Sequence, residues 1–239
     1  MSQIVAASPH VTTKNSTAVI MRDVLIALLP AVIAGCVVFG LRALLVVAVT
    51  TAACVFFEWG FEKLCHTPST ISDLSAAVTG VLLAMNLPVS IPLWQAVFGA
   101  LVAIVAVKGL FGGIGKNFAN PAITARIVMF LAFSKTMTAW VFPDAVSSAT
   151  PLAMMANGES VDYLTLLLGN HGGCLGETSA LALLIGFAYL LIRGVISWHT
   201  PVCFVGTVFV MSLILGQDAV GQILSGGLML GAIFMATDY

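Results

Sequence analysis

The feature that most limits what this chain can become is its series of long, almost uncharged apolar runs. The first is "VLIALLPAVIAGCVVFG", residues 24–40. About 20 such residues cross the hydrocarbon core of a bilayer as a helix. Eight candidate segments lie near 21–40, 42–60, 71–87, 92–110, 121–139, 179–195, 201–216 and 219–236. In lipid, only helices and closed barrels satisfy every backbone polar group. These runs are too long and continuous for barrel strands. The expected fold class is therefore all-α: a polytopic membrane protein, a bundle of about eight transmembrane helices. Only 8% of the residues are charged, against roughly 25% in a soluble domain. The nine Lys and Arg residues form no basic stripe, so a nucleic-acid role is excluded.

Basic residues set the expected orientation, because cytoplasmic loops carry an excess of them. Residues 1–20 read as a short cytoplasmic arm without the features of a signal peptide. Threading from that arm puts Lys14, Arg22, Lys63, Lys108, Lys116 and Arg193 at the inner side, and Arg42 and Lys135 towards the outer side. Residues 21–140 form the first transmembrane half, of about five helices. Residues 141–178 become an extracytoplasmic loop with Asp144, Glu159, Asp162 and Glu177 and no Lys or Arg. Residues 179–239 open a second half that ends short of a full one.

A faint internal echo accompanies this division. "SDLSAAVTGVLLA" (72–84) and "GETSALALLIGFA" (176–188) each start with an acid and hydroxyls, and a Gly-Gly pair follows each, at 112–113 and 226–227. The threading runs the two segments in opposite directions, as inverted repeats require.

Two stretches offer chemistry. In "GLFGGIGKNFANPAITAR", residues 109–126, glycines including Gly112 and Gly113 allow a flat or phosphorylated ligand to approach the backbone. Asn117 and Asn120 follow. Asn120 is placed as an N-cap and Pro121 as the first residue of the next helix. In "SSATP", Pro151 biases Thr150 towards an extended backbone. Its small neighbours Ser147, Ser148 and Ala149 leave an accessible hydroxyl there. A Ser-His-Asp hydrolase using His171 and Asp144 is disfavoured, because no G-x-S-x-G elbow is present.

The boundary charges Asp23, Glu58, Glu62, Asp73, Lys108, Arg126 and Arg193 read mostly as interfacial anchors. Asp73 and Arg126 are the best placed for function. Arg126 suits a phosphate, and equally a carbonyl or an acid on a neighbouring helix. Thr178 or Ser179 can cap the sixth helix, with Glu177 favouring its dipole. Cys36, Cys54, Cys65, Cys174 and Cys203 are scattered and read as small hydrophobes, without the clustering of a zinc or iron–sulfur site.

Four motifs in order, "GGIGKNFANPA", "SSATPL", "GETSALALLIG" and "SGGLMLGAIFMATD", resemble one membrane family. It comprises the D subunits of Rnf complexes and the B subunits of sodium-translocating NADH:quinone reductases. The third and fourth motifs are more similar to the Rnf members, and the likeness covers nearly the whole chain. It implies ten helices arranged as two inverted repeats, similar in plan to urea transporters. It also implies FMN joined through its phosphate to the threonine of a Ser-Gly-Ala-Thr motif, here Thr150, and a second, noncovalent flavin, riboflavin or a relative. Ser147, Ser148, Ala149, Gly112, Gly113, Asn117, Asn120 and Arg126 are the further candidate flavin contacts, with Arg126 meeting a phosphate or a flavin oxygen.

The implied partners are the Rnf subunits A, B, C, E and G, a flavin transferase and the lipid bilayer. The implied setting is the bacterial inner membrane, with a cytoplasmic N-terminus and Thr150 outside. The implied activity is a translocase subunit, not catalytic alone, passing electrons between ferredoxin and NAD while Na+ or H+ is exported. Two departures stand out: Ser148 replaces the motif's glycine, and members of the family run on beyond the position of Tyr239. The rival readings are a channel or transporter for a small polar solute and a structural scaffold.

Overall fold

The computed structural model describes residues 16–67, 69–117, 119–140, 150–169 and 171–237. The residues 1–15, 144 and 147–149 named above lie outside that set. The described residues are helical, with no strand and a single isolated bridge between Pro88 and Cys174.

Two helices are long enough to cross a bilayer unaided. They are α1 (Thr17–Phe39) and α2 (Leu41–Cys65). Ser16 caps α1 by accepting the Val19 N–H at 3.4 Å. Gly40 ends it, with its N–H on the Cys36 carbonyl at 2.8 Å and φ +72°. That left-handed turn, open to glycine at little cost, starts α2 at once.

Shorter apolar helices follow: α3 (Ser75–Met85), α4 (Leu93–Leu101, continuing as a π-helix over Val102–Gly109), α5 (Pro121–Ala132) and the brief α6 (Ser134–Met137). Between Thr150 and Gly169 lie two one-to-two-turn pieces, α7 (Pro151–Ala156) and α8 (Tyr163–Leu168). Then come α9 (Ala180–Ile192) and α10 (His199–Ile214).

The expected eighth span, 219–236, is not continuous. It breaks at Ser225, Gly226 and Gly227 into α11 (Ala219–Leu224) and α12 (Leu228–Leu230, continuing as a π-helix over Gly231–Met235). Apolar composition alone does not reveal that break; the glycine pair does. Gly226 has φ +67°.

Small residues bring the helices together, as membrane helix packing requires. Gly80 of α3 lies where any Cβ would come within 2.6 Å of the Thr51 Cα on α2. Gly186 of α9 backs onto the Ala27 carbonyl of α1. Asp23, near the start of α1, meets Tyr189 and Arg193 at the end of α9, so the two helices are antiparallel. Met21 and Ser75 line one cavity at the starts of α1 and α3, so these two run in parallel. Hence α3 and α9 run in opposite directions, the relation that the sequence echo suggests. A short 3-10 turn ending in an acid precedes each, Ile71–Asp73 and Leu175–Glu177. The glycine pairs do not correspond, since one follows a π-helix and the other precedes one.

The expected outer loop over 141–178 is not a simple loop. Residues 171–176 are buried. Leu175 N–H donates to the Leu87 carbonyl at 3.1 Å, and Gly176 packs on Met85. The turn after α3 and the stretch before α9 thus meet inside the bundle and satisfy part of each other's backbone. Of the cysteines, only Cys54 and Cys174 are buried, while Cys65 and Cys203 are exposed.

Candidate functional site

The expected site residues fall into three places. The first surrounds Thr150. Its backbone is extended (φ −61°, ψ 153°), as the following proline dictates. The hydroxyl, expected to be accessible, makes an exposed hydrogen bond as an acceptor and, among the described residues, none to a helical carbonyl. Thr150 is half-buried, and its Oγ1 caps α7 by accepting the Ala153 N–H at 3.4 Å. α7 packs on α11. There Leu152 Cδ1 lies 3.0 Å from where a Cβ on Gly226 would sit, and Met155 packs on Gly221.

The second place is built on Arg126, one and a half turns into α5. Its Nη1 donates to Asn86 Oδ1 at 2.7 Å. Its Nη2 donates to Glu177 Oε1 at 3.3 Å and to Cys174 Sγ at 3.4 Å. Arg126 thus meets both an amide carbonyl oxygen and an acid of neighbouring segments. Glu177 also accepts the Cys174 N–H at 3.2 Å. The cap of α9 is Ser179, not Thr178, because its hydroxyl accepts the Ala182 N–H at 3.3 Å. Arg126 Nη1 stands 3.3 Å from where a Cβ on Gly227 would lie. The Gly226-Gly227 break therefore touches both Leu152, two residues after Thr150, and Arg126.

The third place is the glycine loop. Asn120 is the N-cap of α5 and accepts from Ala122 and Ile123 N–H at 3.0 and 3.2 Å, with Pro121 as first helical residue. Gly112 and Gly113 have φ +99° and +89°, so side chains are excluded there by strain. They line a cleft of ≈ 260 Å³ with Glu58, Glu62, Thr70 and Lys108. Asn117 and Asn120 instead line a cavity of ≈ 30 Å³ with Ser75, Thr79 and Lys108. Asn117 Oδ1 is buried there without a hydrogen-bond partner. Gly112, Gly113, Asn117 and Asn120 line neither the Thr150 nor the Arg126 surroundings.

Four residues read as interfacial anchors prove otherwise, the first being Asp23, 3% exposed and paired with Arg193. Glu58, Glu62 and Lys108 are 5%, 8% and 4% exposed. Lys108 Nζ pairs with Glu58 Oε1 and donates to Ser75 Oγ at 2.5 Å. Ser75 Oγ in turn donates to Asp73 Oδ1 at 2.5 Å. Glu62 Oε1 accepts the Thr70 N–H at 2.7 Å and its hydroxyl at 2.5 Å. The available signal was ionisable residues inside apolar runs, which are functional candidates in a membrane. Glu58, Glu62 and Lys108 do not snorkel, because they face one cleft inside the bundle.

Residues 4–239 match the model of a family described as NQR2, RnfD, RnfE. The chain belongs to the NQR2, RnfD, RnfE family. Among similar NQR2, RnfD, RnfE proteins is the D subunit of the Na+-translocating ferredoxin:NAD+ oxidoreductase complex of Acetobacterium woodii, 47% identical over 98% of this chain and 76% of the relative. The D subunit of the proton-translocating ferredoxin:NAD+ oxidoreductase complex of Clostridium ljungdahlii is 36% identical over 98% of this chain and 78% of the relative. The D subunit of the ion-translocating oxidoreductase complex of Halorhodospira halophila is 34% identical over 100% of this chain and 79% of the relative. With the apolar helices, membership of this family makes the chain a helical membrane protein.

Proposed function

We propose that this chain is the D subunit of an ion-translocating ferredoxin:NAD oxidoreductase complex, with FMN ester-linked through its phosphate to Thr150 Oγ1. The observation that carries the first part is the 47% identity to a D subunit of such a complex over nearly the whole chain.

For the second part, the residues present fit the group. Thr150 Oγ1 acts in the described structure as an acceptor, towards Ala153 N–H. An ester at Oγ1 replaces the hydroxyl proton and leaves the oxygen, so the capping contact is compatible with attachment. Arg126, 30% exposed at its side chain, sits across the Gly226-Gly227 break from α7 and would supply positive charge towards a phosphate. When bound, FMN supplies one- and two-electron redox chemistry, while the protein supplies position and electrostatic tuning. The second, noncovalent flavin that the resemblance implies does not fit at Asn117 and Asn120. Their cavity of ≈ 30 Å³ has room on the order of a water or two.

In the same reading the chain lies in the bacterial cell membrane with residues 1–20 cytoplasmic and Thr150 outside. It assembles with Rnf subunits A, B, C, E and G, after a flavin transferase has modified Thr150. Its part in the complex is to pass electrons while Na+ or H+ is exported. The test is denaturing gel electrophoresis of the protein made together with a flavin transferase. A flavin-fluorescent band at its mass is expected, and its loss in Thr150→Ala. A band that persists in that variant overturns the assignment.

A further inference from the structure

We infer that the cleft between the end of α2 and the glycine loop binds a monovalent cation, held by the free carboxylate oxygens of Glu58 and Glu62. Each carboxylate is satisfied at one oxygen only. Glu58 Oε1 takes Lys108, and Glu62 Oε1 takes the Thr70 N–H and hydroxyl. Glu58 Oε2 and Glu62 Oε2 are buried and have no hydrogen-bond partner. Both side chains line the same cleft of ≈ 260 Å³.

Buried polar atoms are almost always partnered, and a buried carboxylate oxygen without a partner is costly. The local charge is also unbalanced. Three carboxylates, Glu58, Glu62 and Asp73, gather round Lys108, and the Lys116 ammonium beside Gly112 is a second cation at the cleft. Uptake of one positive charge between the two free oxygens relieves both conditions.

The donor set selects the ion. Among the described residues no three His, Cys, Asp or Glu side chains converge as a metal site, which disfavours transition metals. Two hard oxygens with room for water in the cleft suit Na+, and the same pair suits a shared proton. The inference deepens the reading above by giving a translocated ion a place in this chain, and rests on that reading only for its purpose.

The test uses the wild-type protein in membranes, so no variant need fold. The apolar reagent dicyclohexylcarbodiimide modifies protonated carboxyl groups, and peptide mass spectrometry locates the adduct. For a Na+ site, modification of Glu58 or Glu62 falls about tenfold when Na+ exceeds its Kd tenfold, by simple occupancy, and equal K+ has no effect. For a proton site, modification is indifferent to Na+ and still occurs at neutral pH. Modification confined below about pH 5 and indifferent to Na+ is that of an ordinary carboxylate, and overturns the inference, as does no modification of either residue. Intact mass of the same sample reports the Thr150 adduct separately. A missing adduct sinks the Thr150 assignment and leaves the cation result standing.

Discussion

Arg126 and Glu177 stand 51 residues apart in the chain, and their side chains meet at 3.3 Å between Nη2 and Oε1. This contact ties α5 to the buried turn that precedes α9. The guanidinium uses its fork, since Nη1 holds Asn86 at the same time. Lysine has no such fork. Arg126→Lys is therefore expected to cost about 1–3 kcal/mol, the range for leaving a buried polar group without its partner, reduced here by the partial exposure of the arginine. Thermal unfolding in detergent measures it. In a double-mutant cycle with Glu177→Gln, a coupling of at least about 0.5 kcal/mol is expected, and strict additivity would show that the pair does not interact.

In the proposed function Thr150 has two tasks, tether and helix cap, that substitutions can separate. Serine keeps both the hydroxyl and the N-cap, so Thr150→Ser retains the flavin adduct by intact mass. Asparagine keeps the cap but has no hydroxyl to esterify. Thr150→Asn is thus expected to lose the adduct entirely while amide exchange at Ala153 stays near that of the unmodified wild-type chain.

Close approach between helices makes a sharp prediction at two glycines. Gly80→Ala forces a methyl to within 2.6 Å of the Thr51 Cα, and overpacking of this kind costs typically about 1–3 kcal/mol. Gly60, within α2, has nothing within 4 Å of a Cβ. Gly60→Ala is expected to be neutral or to stabilise by up to about 1 kcal/mol through helix propensity. The melting temperatures of the two variants should move in opposite directions, or Gly60→Ala should not move at all.

A pH effect is expected at α8. The Thr165 hydroxyl, then the Leu164 N–H, hold the Asp162 carboxyl below its ordinary value. A lowered folded pKa means that the stabilising contribution is complete above the unfolded value. It is lost as pH falls through the folded one. Hydrogen exchange at Leu164 should accelerate, relative to its intrinsic rate, once pH drops below the ordinary aspartate range near 3.9. In Asp162→Asn that acid-dependent step is expected to disappear.

The parts of this fold that the sequence made legible are those decided locally. α1 and α2 follow from length and apolarity, and the start of α5 from Asn120 and Pro121 in sequence. Thr150 took its extended backbone from the neighbouring proline. What stayed hidden depends on distant partners. Lys108 and Glu58 are 50 residues apart, and no periodicity joins them. Each alone resembles a snorkelling side chain, and only packing of α4 against α2 turns both inward. Residues 171–176 look polar and small enough for a loop, yet their backbone finds partners on Leu87 and Pro88 inside the bundle.

Lys108 lines both the larger cleft and the small cavity at Asn117 and Asn120. One buried ammonium group is therefore a common wall between two compartments. Any occupant that draws this wall towards itself enlarges the neighbouring chamber and removes a charge from it. The two spaces then act as the pans of a balance: the free energy by which filling one alters the other is the same read from either side.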